Sequence, residues 1–376
     1  MKSAINFFKR ETVFCVSLVL ALLSMLLVRP DAVYLTYPDY RTLALLFCLM
    51  TIVEGFRSLG VFDQLGRLLI QRAGSMRRLS LVMVILCFFS SMIITNDVAL
   101  ITFVPFTLLV LAMAGGEKQL LRLVVLETIA ANLGSMATPI GNPQNLYLTS
   151  ISGLSMADFF RAVLPYAGLA LLMLVGVVML ERDTPLQGCL AKDGREAEPM
   201  VDGSSRRSLA VYVGLLMLCL LVVFRVLPYG VALVCVLAAV LVLDRRIFRR
   251  VDYFLLLTFL CFFIFVGNIK RIPAVNGLLV SLVQGHELYA GILASQAISN
   301  VPAAILLSGF TERYDVLLTA VNLGGLGTLI ASLASLISFK FFVRSFPQQK
   351  GAFLKAFTGW NLLFLAALTM EAVLLT

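Results

Sequence analysis

The chain has 376 residues, of which 60% are hydrophobic and 14% charged, and its mean hydropathy is +0.97. That balance excludes an ordinary soluble domain, and the stretches 11–28, 41–60, 209–227 and 352–375 reach the ~20 residues that a bilayer-spanning helix needs. The net charge of +9 does not indicate a nucleic-acid partner, because Lys and Arg form short clusters between apolar segments and no single basic face.

Lys2, Lys9 and Arg10 precede the first apolar run, which ends in Val-Arg-Pro-Asp without a small-residue cleavage site, so a retained first helix is expected there and not a signal peptide. Positive charge gathers at the N-terminus, at 67–78, at 245–250 and at 340–355, and the positive-inside rule places all four in the cytoplasm. One path then follows. A helix at 11–28 goes out, one at 41–60 returns, and 61–78 is an amphipathic cytoplasmic stretch. Two apolar arms flank Thr95-Asn96-Asp97 and end inside near Gly115 and Gly116. An interrupted segment at 120–148 runs outward, a helix at 162–180 runs back, and the polar stretch 182–208, with mixed charge, Gly, Pro and Ser, reads as a cytoplasmic linker.

After one joining helix at 209–228 the plan recurs. Helices at 229–243 and 253–269 lead to a Gly- and Asn-containing stretch at 273–285. Two arms flank Ser299-Asn300-Val301-Pro302, an interrupted segment covers 316–339, and a last helix ends the chain. The chain thus divides into a first repeat at 1–181, the linker at 182–208, the joining helix, and a second repeat at 229–376. Each half crosses an even number of times and the joining helix once, so the second repeat enters the membrane upside down. The expected fold is an all-α polytopic membrane protein with two inverted-topology repeats, paired hairpin-like arms and interrupted helices. It sits in the inner or plasma membrane with a cytoplasmic N-terminus and an external C-terminus. Lys270 and Arg271 run against this path, which leaves them outside. Six cysteines lie in apolar segments without CxxC spacing and Cys189 lies in the linker, so neither a disulfide framework nor a zinc site is indicated.

A broken helix inside hydrocarbon leaves backbone groups that only protein or a water-filled cavity can satisfy, so breaks mark sites. Four stand out: Thr95-Asn96-Asp97, the run from Asn132 through Gly134, Thr138, Pro139 and Asn142 to Asn145, Ser299-Asn300-Val301-Pro302, and the run from Asn322 through Gly324 to Thr328 with Ser332 and Ser335. They pair across the halves as Asn96 with Asn300 and Asn132 with Asn322. Half-helix N-termini suit an anionic or polar solute, while exposed carbonyls and Asn, Ser or Thr oxygens suit a small cation. The plain alternative is that the small residues only permit close helix packing and that Asn and Pro mark turns. Recurrence in the same order in both halves argues against it.

These motifs, above all Ala-Thr-Pro-Ile-Gly-Asn-Pro-Gln-Asn at 137–145, resemble the ion transporter superfamily, which includes divalent anion/sodium symporters, citrate transporters, arsenite efflux permeases and some sodium/proton antiporters. The resemblance implies a secondary transporter, with no cofactor beyond a sodium ion, whose partners are a small anionic solute, the bilayer and, in a homodimer, a second copy. In the divalent anion symporters each hairpin tip carries Ser-Asn-Thr. Carried over, Thr95, Asn96, Thr138, Pro139, Asn142, Ser299, Asn300 and Thr328 would bind substrate, and Asp97, Asn132, Gly134, Asn145, Asn322 and Gly324 would serve the coupling ion. The chain departs from that pattern at Asp97 and Val301, and an Asn-Asp pair is closer to the arsenite permeases.

Asp97 has no basic residue within a helical turn, so its charge calls for a mobile cation or for a capping role on the arm that follows. Glu54 and Arg57 are spaced for a local ion pair. Glu127 suits a proton site or a reach to the nearby interface, and His286 a surface position. An intramembrane enzyme is disfavoured by the absence of HExxH, GxSxG and P-loop motifs, and a channel would not require paired broken helices.

Overall fold

The computed structural model describes residues 11–61, 75–113, 117–181, 183 and 203–375. Among these residues there are sixteen α-helices and no strand, as expected where backbone groups must be satisfied within each apolar segment. In chain order they are α1 (Thr12–Leu27), α2 (Tyr40–Ser58), α3 (Met76–Ile94), α4 (Asn96–Met113), α5 (Glu117–Ser135), α6 (Pro143–Ser152), α7 (Met156–Met179) and α8 (Gly203–Val223). There follow α9 (Tyr229–Leu243), α10 (Tyr253–Lys270), α11 (Pro273–Val283), α12 (Glu287–Ile298), α13 (Asn300–Leu307), α14 (Tyr314–Leu323), α15 (Leu333–Ser345) and α16 (Lys350–Leu375).

Two helix starts differ from the sequence reading. α7 begins at Met156 instead of 162, because Ser155 caps it, its Oγ accepting the Asp158 N–H at 3.1 Å. α8 begins at Gly203, inside the stretch assigned to the linker, because a helix continues past its apolar part into a polar turn. The stretch at 273–285 is helix α11, started by Pro273 at its first turn and bent 111° from α12 at a break that holds Gly285. Most of 61–78, most of the linker including Cys189, and Thr376 lie outside the described residues.

α1 and α10 run side by side in one direction. The Phe14 and Phe254 rings are 5.4 Å apart near their starts, and Asn268 donates to Ser24 Oγ at 3.0 Å near their ends. Exchanging the halves maps this pair onto α2 and α9, which also pack together. The same exchange relates α3 on α5 to α12 on α14, α4 on α15 to α13 on α6, and α5 on α16 to α14 on α7. The packing pairs of one half thus recur in the other when the halves are exchanged, as repeats require. Apart from α11, which touches both α10 and α12, the described helices fall into two groups, α1, α2, α8, α9 and α10 against α3–α7 with α12–α16. At the centre of the second group α5 and α14 are buried on nearly every side.

Polar side chains tie the helix ends together. At one end Arg77 donates to the Glu181 carbonyl at 2.7 Å and Arg122 pairs with Glu181 at 3.1 Å. At the other, Arg41 donates to the Val222 carbonyl at 2.7 Å, Arg225 to that of Thr149 at 3.2 Å, and Arg271 pairs with Asp31 at 2.7 Å. In that last pair the charge of Arg271 is met by the α1–α2 connection. The hydrogen bond from Arg271, aided by the Val33 and Tyr34 N–H groups, holds the Asp31 carboxyl below its usual range. Glu54 and Arg57 form the local pair at 3.3 Å, and His286 is exposed. Glu127 does not reach an interface: it is fully buried, and the Thr107 hydroxyl donates to it.

Candidate functional site

Each pair of arms turns on a single residue. Thr95 has φ 70° and ψ 152°, and Ser299 has φ 74° and ψ 153°, a conformation that non-glycine residues rarely adopt. Holding a side chain there stores strain of about 1–3 kcal/mol per residue, which surrounding contacts must offset. The next residue supplies them in the same way in both halves. Asn96 Oδ1 accepts the Asp97 N–H and Asn300 Oδ1 the Val301 N–H, both at 3.0 Å. The Asn96 N–H donates to the Gly141 carbonyl at 3.2 Å and the Asn300 N–H to that of Ala331 at 2.9 Å. Each tip is thereby docked on the broken helix of its own half.

The broken helices interlock. Asn132, Asn142 and Asn145 recur in the second half as Asn322, Ser332 and Ser335 with the same spacing. Asn132 Oδ1 accepts from Asn96 Nδ2 and from Ser332 Oγ at 3.0 Å each, and Asn132 Nδ2 donates to Ser335 Oγ at 3.2 Å. In exchange, Asn322 Oδ1 accepts from Asn142 Nδ2 at 3.0 Å and Asn322 Nδ2 donates to Asn145 Oδ1 at 2.6 Å. Ser135 joins the two clusters, its Oγ accepting from Asn142 Nδ2 at 3.1 Å and donating to the Asn132 carbonyl at 2.8 Å. The result is one continuous buried chain of hydrogen bonds, its two clusters joined through the Asn132 backbone carbonyl.

Four helix N-termini meet at this chain. Asn96 starts α4, Asn142 caps α6, Asn300 starts α13, and Ser332 immediately precedes α15. Their partial positive charge and free N–H groups favour an anion or a strongly polar solute. Gly134 lets α5 approach α3 closely, since a Cβ there would clash with the Phe88 carbonyl. Gly324 meets the Ser295 side chain in the equivalent place.

The other expected residues play different parts. Pro139 is buried in the first connection. Thr138 and Thr328 point away from the Asn chain: Thr138 Oγ1 donates to the Met92 carbonyl at 2.5 Å, and exposed Thr328 donates to that of Gln296 at 3.4 Å. Asp97 is half-buried, and its carboxylate accepts no hydrogen bond among the described residues, so the capping role falls to Asn96. Asn300 Nδ2 likewise has no partner among the described residues. Gln296 was not singled out from sequence; it donates to the Gly324 and Leu326 carbonyls at 2.8 Å each. Its signal was a lone amide in an otherwise apolar arm.

A family model described as citrate transporter matches residues 6–311. The chain is 36% identical over 308 residues to the inner membrane protein YbiR of Escherichia coli K12, covering 80% of each chain. It is 31% identical over 330 residues to an uncharacterized transporter of Methanocaldococcus jannaschii, covering 86% of this chain and 87% of that one. A silicon efflux transporter of Oryza sativa subsp. japonica is 32% identical over 172 residues, 44% of this chain and 35% of its own length.

Proposed function

The chain belongs to the citrate transporter family, and from that premise we propose that it moves a small anion, an organic di- or tricarboxylate or an inorganic oxyanion, by ion-coupled alternating access about the meeting point of its four helix N-termini. It is a multi-pass membrane transporter and not an enzyme. The observation that carries the finer reading is the convergence of two strained Asn-bearing tips and two interlocked broken helices on one buried polar chain.

In this reading Asn96 and Asn300, with Thr95 and Ser299, replace the water of the solute. Thr138, Pro139, Asn142 and Thr328 shape the connections behind them. Asp97 requires a mobile cation, sodium or a proton, because a carboxylate at membrane depth without a basic partner is costly. Asn132, Gly134, Asn145, Asn322 and Gly324 hold the framework that responds to it. The repeats at 1–181 and 229–376 each contribute half of this site, with the linker and N-terminus cytoplasmic and the C-terminus external. A homodimer in the bilayer is compatible with this plan.

A second reading is efflux of a weakly acidic oxyacid of the arsenite type. The departures at Asp97 and Val301 favour it, as does the similarity to a transporter named for silicon efflux. Proteoliposome transport of citrate, succinate, sulfate, arsenite and silicic acid separates the two. Asn96→Ala and Asn300→Ala are each expected to reduce transport at least tenfold, at unchanged yield of folded protein, by removing hydrogen bonds to the solute. Normal transport in both variants would mean that the site lies elsewhere.

A further inference from the structure

The carbonyls released where α5 and α14 break are the groups with which a transporter of this design would ligate a small cation. Both sets are already taken. Asn145 Nδ2 donates to the carbonyls of Ser135, Met136 and Thr138 at 3.4, 3.1 and 2.9 Å. Gln296 Nε2 donates to those of Gly324 and Leu326 at 2.8 Å each. Neither amide can be turned over. Asn145 Oδ1 accepts from Asn322 Nδ2 at 2.6 Å and Gln296 Oε1 accepts the Thr328 N–H at 2.9 Å, so a flip would set oxygen against oxygen and N–H against N–H.

The two halves reach this arrangement by different routes. In the first half the amide comes from the start of α6. In the second it comes from the hairpin arm α12, where Met92 is the first-half equivalent of Gln296 and Ser335 the second-half equivalent of Asn145. Loss of residue symmetry, with an amide donor kept on the equivalent carbonyls of Met136 and Leu326, points to a requirement at each break. The second connection is shaped to it: Gly327 has φ 101°, and a Cβ there would clash with Gln296 Oε1.

We infer that Asn145 and Gln296 stand where coupling cations would, so that both broken helices are complete without sodium. The inference rests on the transporter reading above and narrows its coupling ion. A sodium ion entering the first break would have to expel the buried Asn145 amide and leave its N–H groups unpaired, and one entering the second would have to displace the half-buried Gln296 amide from two carbonyls.

Purified full-length protein tests this without knowledge of the solute. Radiolabelled sodium should show no saturable retention, and the melting temperature should be the same in sodium, potassium and choline chloride at equal ionic strength. Gln296→Glu removes the donors and sets a carboxylate against the carbonyls; it should melt several degrees higher in sodium than in choline. Saturable retention by the wild type, or a sodium-specific rise in its melting temperature, would overturn the inference while leaving the transporter reading intact. A folded Gln296→Glu variant indifferent to sodium would overturn the role given to Gln296. If that variant fails to fold, the wild-type measurement decides alone. Normal transport by the Asn96 and Asn300 variants would instead sink the transport site and leave the amide-filled breaks standing.

Discussion

Asn132→Ala is the sharpest perturbation of the interlocked breaks. It deletes the acceptor shared by Asn96 Nδ2 and Ser332 Oγ and the donor to Ser335 Oγ, three bonds between α5 and the helices α4 and α15. Hydrogen bonds between membrane helices contribute about 0.6 kcal/mol on average and about 1.7 at most, so losing three should cost about 2–5 kcal/mol. Ser335→Ala deletes only one of them and should cost about 0.6–1.7 kcal/mol. Because that bond is already absent in Asn132→Ala, the double variant should be no less stable than Asn132→Ala by more than about 0.5 kcal/mol. Reversible unfolding in mixed micelles, titrated with a denaturing detergent, reads all three. A cost below about 0.5 kcal/mol for Asn132→Ala, or strict additivity with Ser335→Ala, would refute the bonded geometry.

Thr95→Gly should raise stability by about 1 kcal/mol in the same assay, since glycine adopts the tip conformation without strain; Ser299→Gly should gain less, because the Ser299 hydroxyl also donates to the Ala331 carbonyl at 3.3 Å. The Asp31–Arg271 pair sets a pH dependence of known sign: the depressed carboxyl adds stability above the ordinary carboxylate value near 4, and that stability is lost as pH falls through the depressed value. Asp31→Asn should flatten that part of a melting-temperature profile in acid, and an unchanged profile would dismiss the pair. Cys189 should resist impermeant thiol reagents applied to intact cells, and labelling from outside would reverse the proposed orientation.

The breaks were legible because Gly, Pro and Asn clusters stand out against an apolar background, and their equivalence was legible because Asn132, Asn142 and Asn145 share their spacing with Asn322, Ser332 and Ser335. The exchange of partners between halves was not, since sequence carries no signal of which side chain meets another some 180–200 positions away. The starts of α7 and α8 were missed for a physical reason: hydropathy reports membrane depth, and a helix capped by Ser155 or extended by a polar turn outruns it. Arg271 looked misplaced because a charge is judged from sequence by its neighbours in the chain, whereas its partner Asp31 lies 240 residues away. Glu127 could be placed one turn before a break, but only packing distinguishes a fully buried carboxyl bonded to Thr107 from one that reaches water.

The seam between the two helix groups breaks the symmetry that the polar chain keeps. α6 packs on α2 and α13 on α10, whereas the exchanged pairs, α15 on α10 and α4 on α2, make no comparable packing among the described residues. The engaged side is lined by rings, Tyr147 lying 6.3 and 5.5 Å from Phe259 and Phe263, with a hydrogen bond of 2.9 Å between Tyr147 and Ser308 on its edge. On the other side Asp97 is half-exposed. Under the proposed alternating access this would be one of two related states, and the second would follow by closing α4 and α15 onto the first group while α6 and α13 leave it. Every Asn and Ser bond that joins the breaks lies within the second group, so none has to open during that exchange. An aromatic seam has few directional bonds to lose when it slides, while the interlocked amides keep the site in one piece.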